Sequence, residues 1–153
     1  MEGFTFATDV RVRFADTDAQ GIAHNSRYLV WFEVARVEYL RAFAGGYQAL
    51  RDHGVEALVL ESYCRYLVPA RFDDELDVHT RCVGLRGARF RYEYEIVRAD
   101  GVVLADGWTN HACVDARTFA PTRVPDPAAS STAATRRLMP GSLTSRRPVG
   151  RLG

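Results

Sequence analysis

One short segment, residues 14–28, holds the side chains of this sequence that are best suited to chemistry. The segment reads FADTDAQGIAHNSRY, is dense with polar and small residues, and includes Asp16, Asp18, Gly21, His24 and Asn25. Because alternate side chains of an extended chain point the same way, we expect Asp16 and Asp18 to face one side of the loop. A carboxylate can attack a carbonyl carbon or take a proton from water, so the segment predicts acyl-transfer chemistry.

The element that must position this segment is a helix that begins directly after it. Residues 26–44, SRYLVWFEVARVEYLRAFA, have apolar side chains at helical spacing. We expect Asn25 or Ser26 to cap the start of the helix and Gly45-Gly46 to end it. The helix is apolar over most of its circumference, which predicts that other parts of the protein surround it.

The start of this helix offers the second group that acyl transfer requires. Its free backbone N–H groups, in residues 21–25, can donate hydrogen bonds to an oxygen that becomes negative in the transition state. Gly21 would let a substrate approach the backbone closely. The residues alone also allow a purely structural interpretation, in which Asp16 and Asp18 cap turns through their side chains.

Five further segments are typical of strands. One precedes the helix in the sequence, and four follow it. In RFRYEYEIV, apolar and charged side chains alternate, which predicts one buried and one solvated face. Asp100-Gly101 marks a tight hairpin to the next strand. The order of elements predicts an α+β fold in which an antiparallel sheet curls around a long central helix. The predicted strands are residues 4–14, 57–67, 75–85, 89–97 and 102–114.

Composition limits the domain organisation and excludes several functions. The 153 residues predict one domain, residues 1–125, followed by an irregular basic tail, residues 126–153, rich in Ala, Ser, Pro and Arg. All 20 basic residues are Arg, which excludes Schiff-base lysines and phosphate-loop lysines. A net charge of +1 gives no reason to expect a nucleic-acid partner. No stretch is apolar enough for a membrane span, and three scattered cysteines favour a reducing cytoplasm.

Several other residues are candidates for supporting roles. His24 can orient a substrate, assist proton transfer or make a structural hydrogen bond. Asp16 and Tyr28 are expected beside the site, and Glu33 and Arg36, at positions i and i+3, are expected to form an ion pair. No metal or cofactor is expected, because His53, His79 and His111 fall in separate elements and no second His or Cys accompanies His24 at ligand spacing.

The phrase DTDAQGIAHNSRYLVWFEVARVEYLR resembles the signature of the hotdog-fold acyl-CoA thioesterases. This family includes the 4-hydroxybenzoyl-CoA thioesterases and the Tol-Pal-associated acyl-CoA thioesterases. The resemblance continues through YLVPARFDDELDV and DGWTNHACVDARTFAPTRVP, so that it covers about residues 5–125. It implies a long helix wrapped by five or six antiparallel strands, with homodimers or homotetramers whose active sites lie between subunits.

The resemblance also implies a reaction, the hydrolysis of an acyl-CoA to a carboxylic acid and CoA. Asp18 would be the nucleophile or general base, with backbone N–H groups at the helix start as oxyanion donors. Ala23, His24 and Asn25 stand where the 4-hydroxybenzoyl relatives have an aromatic residue, which makes the segment similar to relatives that act on fatty acyl groups. The phosphates of CoA would need cations, and the candidates are Arg65, Arg71, Arg86, Arg89 and Arg91. The alternatives are a non-catalytic acyl-thioester-binding protein and a dehydratase, although no paired His and acid phrase supports the latter.

Overall fold

The fold consists of one antiparallel sheet of five strands with a long helix against one face. A computed structural model describes residues 2–125, and the predicted tail lies outside the described residues. The strands are hydrogen-bonded in the order β1-β3-β4-β5-β2, so β1 and β2 form the edges of the sheet. The elements are β1 (Phe6–Arg11), a 3-10 turn (Phe14–Asp16), α1 (Asn25–Ala44), α2 (Gly46–Asp52), β2 (Val55–Tyr66), β3 (Glu75–Arg86), β4 (Arg89–Arg98) and β5 (Val103–Asp115).

The core lies between α1 and the inner face of the sheet. The alternation predicted for β4 is confirmed, since Tyr92, Tyr94 and Ile96 are all buried. The ring of Phe32 on α1 stacks on Tyr94, with 4.2 Å between ring centroids. A side chain on Gly107 of β5 would put its Cβ 2.8 Å from the Phe32 ring, so the helix can approach the sheet this closely only because β5 has a glycine there.

The sheet covers less of α1 than the sequence predicts. Trp31, Phe32 and Ala35 are buried, but Leu29, Val30 and Val34 on another side of the helix are 38%, 43% and 40% exposed. The sheet therefore wraps one side of this helix, and the other side is exposed in the single chain. Exposed apolar residues that lie together on one side of a helix are unusual in a monomeric protein and are typical of an interaction surface.

The end of α1 is predicted correctly, but the element after it is not. Gly45 adopts a left-handed conformation with φ 75° and ends the helix, as a C-terminal glycine commonly does. A second helix, α2, begins immediately at Gly46, where the sequence analysis places no element. The two glycines therefore form a corner between helices.

Among residues 2–125, no helix is long and apolar enough to cross a membrane.

Candidate active site

A cavity of about 360 Å³ lies at the start of α1. Three segments form its walls: the loop before α1, the first turn of the helix, and the chain at and after the end of β2. The strand side of the wall is mostly apolar, and the loop side carries most of the polar residues together with Ile22 and Ala23. The lining residues are Asp18, Gln20, Ile22, Ala23, His24, Asn25, Tyr28, Tyr66, Leu67, Val68 and Pro69.

Asp18 lines the cavity from a tight turn that fixes its backbone. Its N–H donates to the Ile22 carbonyl at 3.0 Å, and its own carbonyl accepts from the Gly21 N–H at 2.9 Å. One carboxylate oxygen, Oδ1, accepts a hydrogen bond from the Gln20 N–H at 2.8 Å. The other oxygen makes no hydrogen bond to the described residues, so it is available to a substrate or a water molecule.

Gly21 shapes this turn but does not line the cavity. It has a φ of 74°, in the left-handed region that favours glycine. Because its N–H is already bonded to the Asp18 carbonyl, Gly21 has no free backbone donor for an oxyanion.

Asp16 and Asp18 do not point the same way, contrary to the sequence prediction. The extended chain that this prediction assumes is replaced by the 3-10 turn, which carries Asp16 inward until it is 1% exposed. The Asp16 carboxylate accepts hydrogen bonds from the backbone N–H of Arg13 at 2.9 Å and from its guanidinium at 2.8 Å, and Arg27 lies 3.7 Å away. The Arg13 hydrogen bonds lower the pKa of Asp16 below its ordinary value.

The carbonyl of Asp16 also fixes the start of the helix, because it accepts from the His24 N–H at 2.8 Å. The cap of α1 is His24 and not Asn25 or Ser26, since the imidazole Nδ1 accepts from the Ser26 N–H at 3.1 Å. With Nδ1 as an acceptor, the neutral ring carries its proton on Nε2. Histidine is not among the residues that are preferred at the N-cap, which explains why the sequence analysis placed the cap at Asn25 or Ser26.

One backbone donor at the helix start is not used. The N–H groups of Ala23, His24 and Ser26 are bonded to Ala70, Asp16 and His24, respectively. The N–H of Asn25, which lines the same cavity as Asp18, makes no hydrogen bond to the residues that the structure describes. Asp18, with one carboxylate oxygen unpaired, and Asn25, with its N–H unpaired, therefore line one cavity.

Tyr28 and Ala70 hold the loop against the sheet. Ala70 is fully buried; its carbonyl accepts from the Ala23 N–H at 2.8 Å, and its N–H donates to the Tyr28 hydroxyl at 3.0 Å. Tyr28 also lines the cavity, beside Asp18 and Asn25. Its hydroxyl accepts the hydrogen bond from the Ala70 N–H.

Glu33 and Arg36 form the predicted pair, with 3.5 Å between Nη2 and Oε2, but they do not line the cavity. Glu33 is 64% exposed, whereas the Arg36 side chain is 10% exposed, and its Nε has no hydrogen-bond partner among residues 2–125. The structure therefore brings together Asp18, His24, Asn25 and Tyr28, and leaves Asp16, Gly21, Glu33 and Arg36 outside the cavity walls.

The strand side of the cavity was missed as a source of site residues. Tyr66, Leu67, Val68 and Pro69 form this wall, and they are the YLVP of the phrase YLVPARFDDELDV. The available signal was that this phrase belongs to the family resemblance although its apolar pattern is that of an ordinary strand end. Among the arginines considered for CoA, Arg65 pairs with Asp106 at 2.5 Å, and Arg91 binds Asn110 at 2.7 Å.

Comparisons with known proteins agree with this architecture. Residues 12–131 match the family model of the thioesterase-like superfamily. The chain is 33% identical to an acyl-CoA thioester hydrolase, YbgC, of Escherichia coli over 82% of this chain and 93% of that protein. It is 36% identical to the acyl-CoA thioesterase YbgC of Haemophilus influenzae, over 80% of this chain and 89% of that protein.

A solved structure, the DHNA-CoA thioesterase of Staphylococcus aureus, superposes with a TM-score of 0.73 at 28% identity. The superposition covers 76% of this chain and 78% of that one. The α+β hotdog fold predicted from the sequence is confirmed by this likeness and by the five-stranded sheet. Sequence and fold agree over most of the chain, and the chain belongs to the thioesterase-like superfamily.

Proposed function

We propose that this chain hydrolyses acyl-CoA thioesters to a free carboxylic acid and CoA, with Asp18 as nucleophile or general base. The observation that carries the proposal is that Asp18, with a free carboxylate oxygen, and Asn25, with an unpaired N–H, line the same cavity. The names of the Escherichia coli and Haemophilus influenzae relatives support the substrate class.

In the general-base route, the Asp18 carboxylate takes a proton from a water molecule as the water oxygen attacks the thioester carbon. The negative charge that develops on the carbonyl oxygen is stabilised by the Asn25 N–H, at the N-terminus of α1, where the helix dipole favours negative charge. The carbon–sulfur bond then breaks, and the CoA sulfur takes the proton from Asp18. The carboxylate is thereby regenerated.

In the nucleophilic route, the Asp18 carboxylate attacks the thioester carbon directly and displaces the CoA thiolate. This gives a mixed anhydride between Asp18 and the acyl group, which water then hydrolyses. The hydrogen bond from Gln20 to Oδ1 supports either route, because it holds the carboxylate while leaving Oδ2 unpaired. Trapping of the anhydride would establish the nucleophilic route.

The binding of the CoA phosphates requires cations outside the cavity walls, which contain no Arg. Of the five arginines considered, Arg65 is neutralised by Asp106, Arg91 binds Asn110, and Arg86 and Arg89 lie at the β3–β4 hairpin, at the end of the sheet away from the cavity. Arg71 makes no ion pair with the described residues and follows the cavity-lining Pro69 by two positions, so we assign recognition of the CoA phosphates to Arg71. Reversing its charge should raise KM and leave kcat for bound substrate similar.

The apolar surface on the uncovered side of α1 supports a homodimer. This surface consists of Leu29, Val30 and Val34 on the helix, together with Val59 and Leu60 on the edge strand β2, all at least 38% exposed. Among the described residues, β2 is hydrogen-bonded within the sheet only to β5, so its outer edge of 12 residues is open to pairing with a second copy. Sedimentation equilibrium should give twice the chain mass or a multiple of it, and a monomer at micromolar concentration would contradict the proposal.

The cysteines fit a cytoplasmic enzyme, since Cys64, Cys82 and Cys113 are all free thiols.

The reaction itself is tested by incubating the full chain with short, long and aromatic acyl-CoAs and measuring the release of free thiol. Catalytic release from at least one acyl group is expected. The alternative, an acyl-thioester-binding protein, predicts that a non-hydrolysable thioether analogue binds while no thioester in the panel is turned over.

A further inference from the structure

Tyr66, the last residue of β2, links the edge of the sheet to the first residue of α1. Its hydroxyl donates a hydrogen bond to the Asn25 carbonyl at 2.9 Å. Its ring lies edge-on to Tyr28, with 4.9 Å between ring centroids, and lines the cavity.

The position of Asn25 is the one that matters for the proposed chemistry. Its N–H belongs to the His24–Asn25 peptide group and makes no hydrogen bond to the described residues. The next peptide group, Asn25–Ser26, is held at both of its polar atoms, because the Ser26 N–H donates to His24 Nδ1 and the Asn25 carbonyl accepts from the Tyr66 hydroxyl. The Tyr66 bond therefore ties the residue that carries the donor to the last residue of β2.

We infer that Tyr66 is a positioning residue, whose hydroxyl holds Asn25 so that its N–H meets the carbonyl oxygen of the thioester as negative charge develops. This inference rests on the proposed function, because it gives Tyr66 a role in the same reaction. Oxyanion stabilisation depends on the donor being held in place before the reaction, and a donor that moves loses part of its effect. Tyr66 acts through Asn25 and has no chemical step of its own.

Two further observations support the inference. Burial raises the pKa of Tyr66 to about 12, so its hydroxyl remains a donor at any pH at which the protein would work. The edge-on contact with Tyr28 holds the ring independently of the hydroxyl. A phenylalanine at this position would therefore keep the wall of the cavity and lose the two bonds of the hydroxyl, the one to the Asn25 carbonyl and the one to the Cys64 thiol.

The test is the substitution Tyr66→Phe, with Tyr63→Phe as the matched control. The two tyrosines lie on the same strand and are 47% and 45% exposed, but Tyr63 stacks on Trp108 and lies outside the cavity walls at the start of α1. The measurements are kcat and KM for the best acyl-CoA, the Kd of its thioether analogue, and the thermal midpoint. Removing a whole oxyanion donor reduces kcat by about 10²–10³, so a loosened donor should reduce it by roughly 10-fold.

The expected result is a roughly 10-fold lower kcat for Tyr66→Phe, with KM and the Kd of the analogue within about twofold, because the loss concerns the transition state alone. Tyr63→Phe should match the parent chain. A kcat within twofold of the parent, or a fall in kcat accompanied by equal weakening of analogue binding, would overturn the inference. An inactive parent chain would instead overturn the proposed function, and activity that survives Asp18→Asn would overturn its assignment to Asp18.

Discussion

The two aspartates of the loop have different surroundings, which separates their roles. Asp16 is buried at 1% exposure and bonded to Arg13, whereas Asp18 borders the cavity with one oxygen unpaired. A carboxylate that is fully engaged with guanidinium and backbone donors is a poor base, because those bonds stabilise its charged form. Asp16 therefore holds the loop together, and Asp18 is the carboxylate that the proposed chemistry can use.

Replacing Asp16 by Asn should destabilise the protein. The substitution removes the charge that Arg13 and Arg27 contact and leaves a buried amide with poorer partners. Because hydrogen bonds to a charged group contribute about 1.5–3 kcal/mol, we expect a loss of that size in the free energy of unfolding, measured with urea at pH 7. Asp9→Asn, at an exposed position of β1, is the control and should change stability by less than about 0.5 kcal/mol. Equal effects of the two substitutions would contradict the structural role of Asp16.

At the scale of elements, the start of α1 combines a cap and a site in one turn. His24 caps the helix through Nδ1 and also lines the cavity. It is therefore a candidate both for stabilising the helix and for assisting the reaction, and two substitutions can separate these roles. His24→Ala should lower the free energy of unfolding by about 1 kcal/mol, since it removes the cap.

His24→Asn separates the cap from the imidazole. Asparagine is a good N-cap, so this variant should regain most of the stability lost in His24→Ala. If the imidazole assists the reaction, His24→Asn remains slow although it is stable. A fully active His24→Asn would show that the ring serves only as a cap, whereas no gain in stability over His24→Ala would contradict the capping role.

The sequence predicts elements well where a single periodicity dominates. The alternation of β4 and the apolar spacing of α1 each lead to the correct element, and the place of Asp18 just ahead of the helix puts it at the cavity. The prediction fails where a local contact overrides the pattern. The 3-10 turn that buries Asp16 depends on its bonds to Arg13, and the histidine cap depends on the imidazole geometry.

Other features depend on contacts between segments far apart in the chain, which periodicity does not encode. In the sequence, Tyr66 looks like any other residue of an alternating strand, yet its hydroxyl donates a hydrogen bond to the carbonyl of Asn25, 41 positions earlier. The uncovered side of α1 is a further example, because the sequence shows that the helix is apolar but not which of its sides the sheet leaves exposed.

At the scale of the whole molecule, a buried histidine should make stability depend on pH. His111 is 2% exposed, bonded to Thr109 and stacked on Phe90. Burial, together with the nearby Arg36 charge, lowers the pKa of His111 from 6.5 to about 4. The unfolded chain therefore binds a proton on this residue at a higher pH than the folded protein does.

This difference fixes the direction of the effect. Above about pH 6.5 the imidazole is neutral in both states and has no effect on stability. Between about pH 6.5 and 4 only the unfolded chain is protonated, so the free energy of unfolding should fall by up to about 3 kcal/mol as the pH is lowered. Asp16, Asp100 and Asp115 have lowered pKa values, so their contribution is lost at lower pH, as it falls through the carboxylate range. His111→Gln should flatten the upper part of the profile, and an unchanged slope between about pH 6.5 and 4.5 would contradict this account.

The central claim, that Asp18 performs the hydrolysis, is tested most directly by the rate of thiol release from the best acyl-CoA by Asp18→Asn. The amide keeps the shape of the carboxylate and can still accept from Gln20, so the fold and substrate binding should be retained. We predict a fall in kcat of at least about 10², the contribution of a positioned base, with KM similar and Asp9→Asn fully active as the control. An Asp18→Asn variant that is folded and retains kcat within a few-fold of the parent would contradict the account.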